Sequence, residues 1–253
     1  MRIDSYLSEN GYFSSRSKAA IAIKRGLVTV NGQVVSKVSL EVSTKDEIKL
    51  LNELKFVSQG GYKLDKAITD FDLEVSGLIF ADIGASTGGF TDCLLQRGAK
   101  KVYAVDVGEN QLDATLFQSE KVVVMDKTNA RYLELENFDE KLDGIVVDCS
   151  FISLKTLLPT FDRLLNDGIV LALIKPQFEC GKKFLGKSGV LKDKKIRQQV
   201  VLDVISAAST FGFFVKGLSK APERDGKNIE YVVYFDRTKS LISNAKLLEV
   251  LAG

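Results

Sequence analysis

Four charged side chains stand at points where an apolar run meets a loop. Lys63 follows a glycine pair in SQGGYKL, and Asp148 ends the run in LDGIVVDCSF. Lys175 ends another in IVLALIKPQF, and Glu230 opens a third in NIEYVVYF. Open α/β folds put their chemistry at such strand ends. The chain has no histidine, so a base working near neutral pH must be a lysine or carboxylate in a shifted environment. Lysine unperturbed titrates at about 10.4. Burial and a neighbouring cation lower that value, while a carboxylate raises it and orients the amine. Two lysines sharing a pocket with Asp148 and Glu230 can keep one amine partly neutral. Lys175 is the candidate general base for a hydroxyl proton. Each residue alone reads as an ordinary salt-bridge partner; together, at strand ends, they read as a site.

A second constellation lies in LIFADIGASTGGF, a strand, a glycine-rich turn and a helix start. Gly84, Gly88 and Gly89 allow sharp turning and close approach to a ligand, with Ala85, Ser86, Thr87 and Phe90 completing the loop. The turn lacks the Gly-Lys-Ser/Thr ending of a P-loop and does not match G-x-G-x-x-G. Asp106 ends the next strand, where an acidic side chain accepts from ribose hydroxyls, and Val107 follows it. Asp126 and Lys127 close the third strand, near an adenine edge. Asp82 precedes the turn, where a carboxylate can hold a cationic ligand or its amino group. Three acidic strand ends around a loop without basic residues suit a positively charged nucleoside. S-adenosylmethionine (S-adenosyl-L-methionine) fits better than a dinucleotide, whose pyrophosphate prefers a helix N-terminus and added cations. With that donor the four charged residues become a methyl-transfer site. Lys175 takes the hydroxyl proton, Asp148 positions it and the methyl group, and Lys63 and Glu230 orient the acceptor ribose.

The elements that must hold these residues fall into two regions. IDSYLSENG and SRSKAAIAIKRG read as helices stopped by Gly11 and Gly26, the second capped by Ser14 or Ser15. LVTVNGQVV reads as a hairpin around Asn31-Gly32, and SLEVSTKDEIKLL as one more strand. NELKFVSQGG is a connector into a helix from about Tyr62 to Phe71. From about residue 78, seven apolar strand candidates alternate with helical stretches: LIFADIG, KVYAVDV, KVVVMDK, LDGIVVD, GIVLALIK, GFFVKGLS and IEYVVYF. The expectation is an α/β fold, a doubly wound Rossmann-like sheet of seven strands behind a small N-terminal α/β domain. The last two strands lack a full helix between them, so the final one is expected to insert antiparallel. The domain boundaries expected are 1–55, a linker at 56–62, and 63–253.

Hydrophobic content of 45% with 27% charged residues is ordinary for a soluble globular protein. Cys93, Cys149 and Cys180 fit neither a disulfide framework nor a zinc site, so buried thiols and no metal are expected. No apolar stretch approaches the roughly 20 residues of a membrane span, and no signal-peptide core opens the chain. A cytoplasmic protein without membrane contact is expected; the sequence specifies no oligomeric state. Phe151, three residues beyond Asp148, is expected to pack its loop, while Phe178 either packs or stacks on a base. The basic run CGKKFLGKSGVLKDKKIR follows the site directly, so Lys182, Lys183 and Lys187 are candidate phosphate contacts.

These segments resemble the TlyA family, rRNA 2′-O-methyltransferases related to the FtsJ-type enzymes. The resemblance covers nearly the whole chain and rests on RIDSYL, SRSKAAIAIKRGLVTVNG, VSQGGYKL, ADIGASTGGFTDCLL, VDVG, KTNAR, DCSFISL, IKPQFE and NIEY. It implies a Lys-Asp-Lys-Glu tetrad at Lys63, Asp148, Lys175 and Glu230, S-adenosylmethionine as donor, and a cytidine ribose in ribosomal RNA as acceptor. The N-terminal part resembles the RNA-binding module of ribosomal protein S four, which implies RNA contacts at Arg2, Arg16, Lys18, Lys24 and Arg25. The chain is similar to the shorter form of the family, which implies 23S rRNA of the large ribosomal subunit. Three positions depart from the pattern. Gln59 stands where arginine is common, Cys149 where an aliphatic residue is typical, and Lys227 where glycine is common before Asn228. Competing classes are a non-catalytic rRNA-binding assembly factor, which loss of a tetrad residue would favour, and a membrane-active haemolysin, which the missing signal and span argue against. A pseudouridine synthase needs no glycine-rich nucleoside loop.

Overall fold

The computed structural model of the chain describes residues 1–253 apart from 14, 25, 52–54, 224, 225, 240, 241 and 253. Ser14, Arg25 and the stretch from Asn52 named above as part of the connector therefore lie outside the described residues. The chain divides into two compact units, 1–59 and 60–253.

In the first unit, helices α1 (Ile3–Glu9) and α2 (Arg16–Lys24) precede strands β1 (Val28–Val30), β2 (Gln33–Val34) and β3 (Ile48–Leu50). The strands form an antiparallel sheet in the order β2-β1-β3. Asn31 and Gly32 both take positive φ, 51° and 79°, as the tight hairpin turn requires. Ile3, Leu7, Ile23 and Val28 form a fully buried core. The strand expected in SLEVSTKDEIKLL is confined to β3, because Ser43 and Asp46 close a polar turn through the Asp46 carboxylate.

Helix α3 spans Gln59–Asp70, starting three residues ahead of the expected Tyr62. Gly60 and Gly61 occupy its first turn, and Leu64, Ala67 and Ile68 are its buried stripe. The second unit continues with β4 (Ile79–Ile83), α4 (Gly89–Gln96), β5 (Lys101–Val105), α5 (Ala114–Phe117), β6 (Val122–Met125) and β7 (Gly144–Val147). It closes with α6 (Leu158–Leu164), β8 (Ile169–Ile174), α7 (Pro176–Glu179), α8 (Lys194–Thr210), β9 (Phe214–Lys220), β10 (Tyr231–Asp236) and α9 (Asn244–Ala252).

The seven strands form one sheet in the order β6-β5-β4-β7-β8-β10-β9. Strands β4 to β8 pair in parallel, and the apolar runs of β7 and β8, buried along nearly their whole length, are those of strands covered on both faces. Strand β10 inserts antiparallel between β8 and β9, as its missing crossover helix predicts. The helical cover is thinner than expected near the β6 edge. A single helical turn, α5, separates β5 from β6, and only two 3-10 turns lie between β6 and β7.

Strand order reverses between β4 and β7, since the chain first builds β5 and β6 on one side and then crosses to the other. Ligands of open α/β sheets bind outside the strand ends at such a switch point. The Gly84 turn and Asp148 leave the sheet there.

Candidate active site

The glycine turn is shaped by what it touches. Gly84 has φ +84°, and a Cβ on it would sit 3.0 Å from Cys149 Sγ and 3.2 Å from the Asp148 carbonyl carbon and oxygen. The Asp148 amide donates to Ile83 O at 3.1 Å. Glycine is thus required both by backbone conformation and by the close passage of the β7 end. Gly88, at φ +91°, leaves room for Leu112 and Leu116. Ser86 and Thr87 form the exposed tip, with Ser86 at φ 48°. Ala85, Gly88, Gly89 and Phe90 are buried, so Phe90 serves the core beneath the loop.

The acidic strand ends hold the loops in place. Asp106 accepts from the Ser86 amide at 2.8 Å and the Gly108 amide at 2.7 Å, one on each carboxylate oxygen. Each oxygen keeps further acceptor capacity. Beside it Val107 is 71% exposed, an apolar face at the rim of the switch point. Asp126 accepts from the Asn110 amide at 2.9 Å, and Lys127 pairs with Glu109 at 2.7 Å. Asp82 is fully buried and takes both the amide and the hydroxyl of Thr91 on Oδ2, at 2.9 and 2.6 Å. Its Oδ1 is buried with no hydrogen-bond partner among the described residues. Burial pushes the Asp82 carboxyl up to about 7, despite the two bonds from Thr91. An orphaned carboxylate oxygen at the end of β4, two residues before the Gly84 turn, fits a nucleoside that carries an ammonium group.

The four charged residues resolve into two pairs. Asp148 Oδ1 lies 2.5 Å from Lys175 Nζ. Lys63 Nζ lies 2.6 Å from Glu230 Oε2, both side chains being 16% exposed. Lys175 is 8% exposed and also donates to Ser150 Oγ at 2.8 Å. The antiparallel register puts one member of each pair at the same edge: Tyr231 pairs with Ile174, so Glu230 and Lys175 leave the sheet there together. Asn228 steadies the approach to Glu230, accepting from the Leu191 amide at 2.8 Å and donating to Gly189 O at 3.1 Å. Burial pushes the neighbouring Cys149 thiol up to about 12, which keeps it protonated and unsuited to nucleophilic attack.

Three residues of this site were not anticipated from the sequence. Ser150 holds the Lys175 amine, Gln177 donates to Glu230 Oε1 at 3.0 Å, and Glu179 accepts from Ser153 Oγ at 2.6 Å and the Leu154 amide at 2.7 Å. The available signal was their spacing, two residues after Asp148, and two and four after Lys175. Phe151 contradicts its expected packing role. It is 90% exposed, with φ 66°, and its ring meets Phe178 at 5.0 Å between centroids. Glu179 holds the following loop, so Phe151 is not needed as its anchor.

The basic candidates divide by environment. In the first unit Arg2 and Arg16 converge on the buried Asp4, at 3.0 and 2.6 Å. Those bonds, Arg2 first, hold the Asp4 carboxyl well below the usual carboxylate range. Lys18 and Lys24 are exposed. In the second unit Lys182, Lys183 and Lys187 are exposed, and Lys183 lies over the Phe184 ring at 4.9 Å. Among the described residues no acidic, Cys or His cluster is arranged to hold a metal ion, and no helix is long and apolar enough to cross a membrane.

Known proteins share this arrangement of parts. Residues 56–237 match the model of the FtsJ-like methyltransferase family, and residues 1–48 match that of the S4 domain. The chain is 41% identical to hemolysin A of Brachyspira hyodysenteriae, over 93% of this chain and 99% of that one. It is 38% identical to the 16S/23S rRNA (cytidine-2′-O)-methyltransferase TlyA of Mycobacterium tuberculosis, over 98% and 94%. The solved structure of a chain named as a haemolysin from Streptococcus thermophilus superposes with a TM-score of 0.76 at 41% identity, covering 100% of this chain and 94% of that one. The chain belongs to the TlyA family of FtsJ-like methyltransferases.

Proposed function

We propose that the protein methylates the ribose 2′-hydroxyl of a cytidine in ribosomal RNA, with 23S rRNA of the large subunit as target. The reading rests above all on one observation: the Gly84 turn runs against Asp148, whose carboxylate pairs with the nearly buried Lys175. A donor loop and a lysine base thereby share one sheet edge. The methyl donor is S-adenosylmethionine, which supplies an electrophilic methyl group on a sulfonium. Asp82 Oδ1 would hold its ammonium group, Asp106 its ribose hydroxyls, and Val107 one face of its base.

Lys175 accepts the 2′-hydroxyl proton, and Asp148 and Ser150 fix the direction of its amine. A positioned base of this kind contributes about 10²–10⁴-fold. Lys63 and Glu230, bonded to each other, hold the acceptor ribose against Lys175. Phe151 presents an exposed ring for an unstacked base, as RNA enzymes that work on single nucleotides require. Phosphates are met by Lys182, Lys183 and Lys187 in the second unit and by Lys18 and Lys24 in the first, within the cytoplasm, while Arg2 and Arg16 hold Asp4.

Transfer of a labelled methyl group to ribosomal subunits and to free 23S rRNA, by wild type and by Lys175→Ala, tests the proposal. The expected result is label in alkali-resistant dinucleotides with wild type, and a loss of at least about 10²-fold with the variant. Label on the base overturns the reaction class. Equal incorporation by the two proteins overturns the assigned base, and label confined to small-subunit RNA overturns the target.

A further inference from the structure

Gln177 lies in α7, between Lys175 and Phe178. Its Nε2 donates to Glu230 Oε1 at 3.0 Å. This contact fixes the amide orientation, because the flipped side chain would set its oxygen against a carboxylate oxygen. The Gln177 Oε1 is therefore directed away from Glu230. It is buried, and no hydrogen-bond partner meets it among the described residues. Buried acceptors of this kind are rare and call for an incoming donor or a water.

The neighbouring chemistry narrows what that donor is. Two residues before Gln177 stands Lys175, at the sugar end of the site. The next residue, Phe178, packs on the exposed Phe151 ring, the aromatic end. In the ribose-methylation reading, a nucleoside bridging Lys175 and the Phe151–Phe178 pair would bring its base edge to Gln177. A cytidine within an RNA chain carries two donor groups, the 2′-hydroxyl and the 4-amino group. The hydroxyl proton goes to Lys175, which leaves the amine. Uridine carries a carbonyl oxygen at that position and would face Gln177 Oε1 acceptor to acceptor.

We propose that Gln177 Oε1 accepts a hydrogen bond from the 4-amino group of the target cytosine, so that Gln177 selects cytidine over uridine at the methylated position. The inference rests on the ribose-methylation reading above and names the residue that sets its base preference. Sites built to bond a substrate N–H reject analogues lacking it, because the buried acceptor is then left alone.

The test uses substrate RNAs that differ only at the target nucleotide: cytidine, uridine, or the pyrimidin-2-one riboside, which lacks the 4-amino group. Initial rates of 2′-O-methylation are compared for wild type and Gln177→Met. Wild type is expected to prefer cytidine by about tenfold or more over both alternatives. Gln177→Met is expected to slow on cytidine alone, bringing the three rates together. Equal wild-type rates on cytidine and the pyrimidin-2-one overturn the proposal, and this arm needs no variant to fold. A uniform slowing of Gln177→Met on all three RNAs also overturns it, since that marks a residue acting through Glu230 alone. Wild type that methylates ribose without regard to the base sinks this inference alone. Wild type that methylates no ribose sinks the functional reading with it.

Discussion

Lys63 and Glu230 meet at 2.6 Å although 167 positions separate them in the chain. The contact joins helix α3 to the entry of β10, the earliest and the latest parts of the sheet-bearing unit that reach the site. Removing either partner strands a charge in a mostly buried place, which costs more than the pair contributes. Lys63→Met and Glu230→Gln are each expected to lower kcat by about 10²-fold, the scale of a displaced reacting group. The double variant should be no slower than the slower single one, because the residues act as a unit. Additive losses in single-turnover rates would show that the two act independently.

Asp82 makes stability depend on pH in a definite direction. Its folded carboxyl titrates at about 7, above the ordinary value near 3.9. The folded state then binds the proton more tightly than the unfolded chain between these values. The ligand-free protein should lose stability as pH rises from about 4 to 7, by an amount on the order of 4 kcal/mol. Asp82→Asn keeps an acceptor for Thr91 and should flatten this slope. Urea melts of both proteins across that range check the sign. Donor affinity should move oppositely, strengthening as Asp82 ionises, and calorimetric titrations at pH 6 and pH 8 would read it.

Gly84→Ala is expected to destabilise by about 1–3 kcal/mol, since alanine is strained at that φ. The new methyl would also meet Cys149 and the Asp148 backbone. Pairing it with Cys149→Ala should restore little, because the backbone contact and the positive φ persist. Thermal melts of the single and double variants make the comparison, and full rescue would show that the thiol alone excludes a side chain.

Glu179→Ala should leave donor affinity unchanged while slowing methyl transfer by about tenfold through a looser loop. The cause is loss of both bonds to Ser153 and Leu154, which steady the segment carrying Phe151. Hydrogen exchange at the Leu154 amide should accelerate in the variant. Unchanged exchange would mean that the aromatic pair, not Glu179, secures the loop.

Within the N-terminal unit the basic residues should separate by role. Arg16→Ala should lower the melting temperature, because it uncovers part of the buried Asp4 carboxylate. Lys18→Ala should leave melting unchanged and reduce the salt dependence of RNA binding by roughly one charge. Filter binding across a salt series, with parallel melts, distinguishes the two.

Much of this was legible in the sequence because strand ends announce themselves. The apolar runs before Asp148 and Lys175 marked fully covered strands, and the missing helix before Glu230 foretold its antiparallel entry. The pairing of Lys63 with Glu230 was less accessible, since it depends on how α3 and β10 meet through long-range packing. Gln177 and Ser150 were hidden for a different reason. Polar residues just beyond a strand are common in solvated loops, and only the positions of Glu230 and Lys175 turn these two into parts of a site. Phe151 misled because an aromatic residue ordinarily packs, and nothing local revealed that Glu179 already secured its loop.

The antiparallel entry of β10 also sets an order in time. A chain leaving the ribosome from its N-terminus completes the donor loop, Asp148 and Lys175 well before Glu230 is made. Until β10 is present, β8 keeps an unpaired edge, β9 has no place in the sheet, and Lys63 lacks its counter-ion. The nascent chain can thus set the Gly84 turn against Asp148 and close the Asp148–Lys175 pair before the Lys63–Glu230 pair can exist.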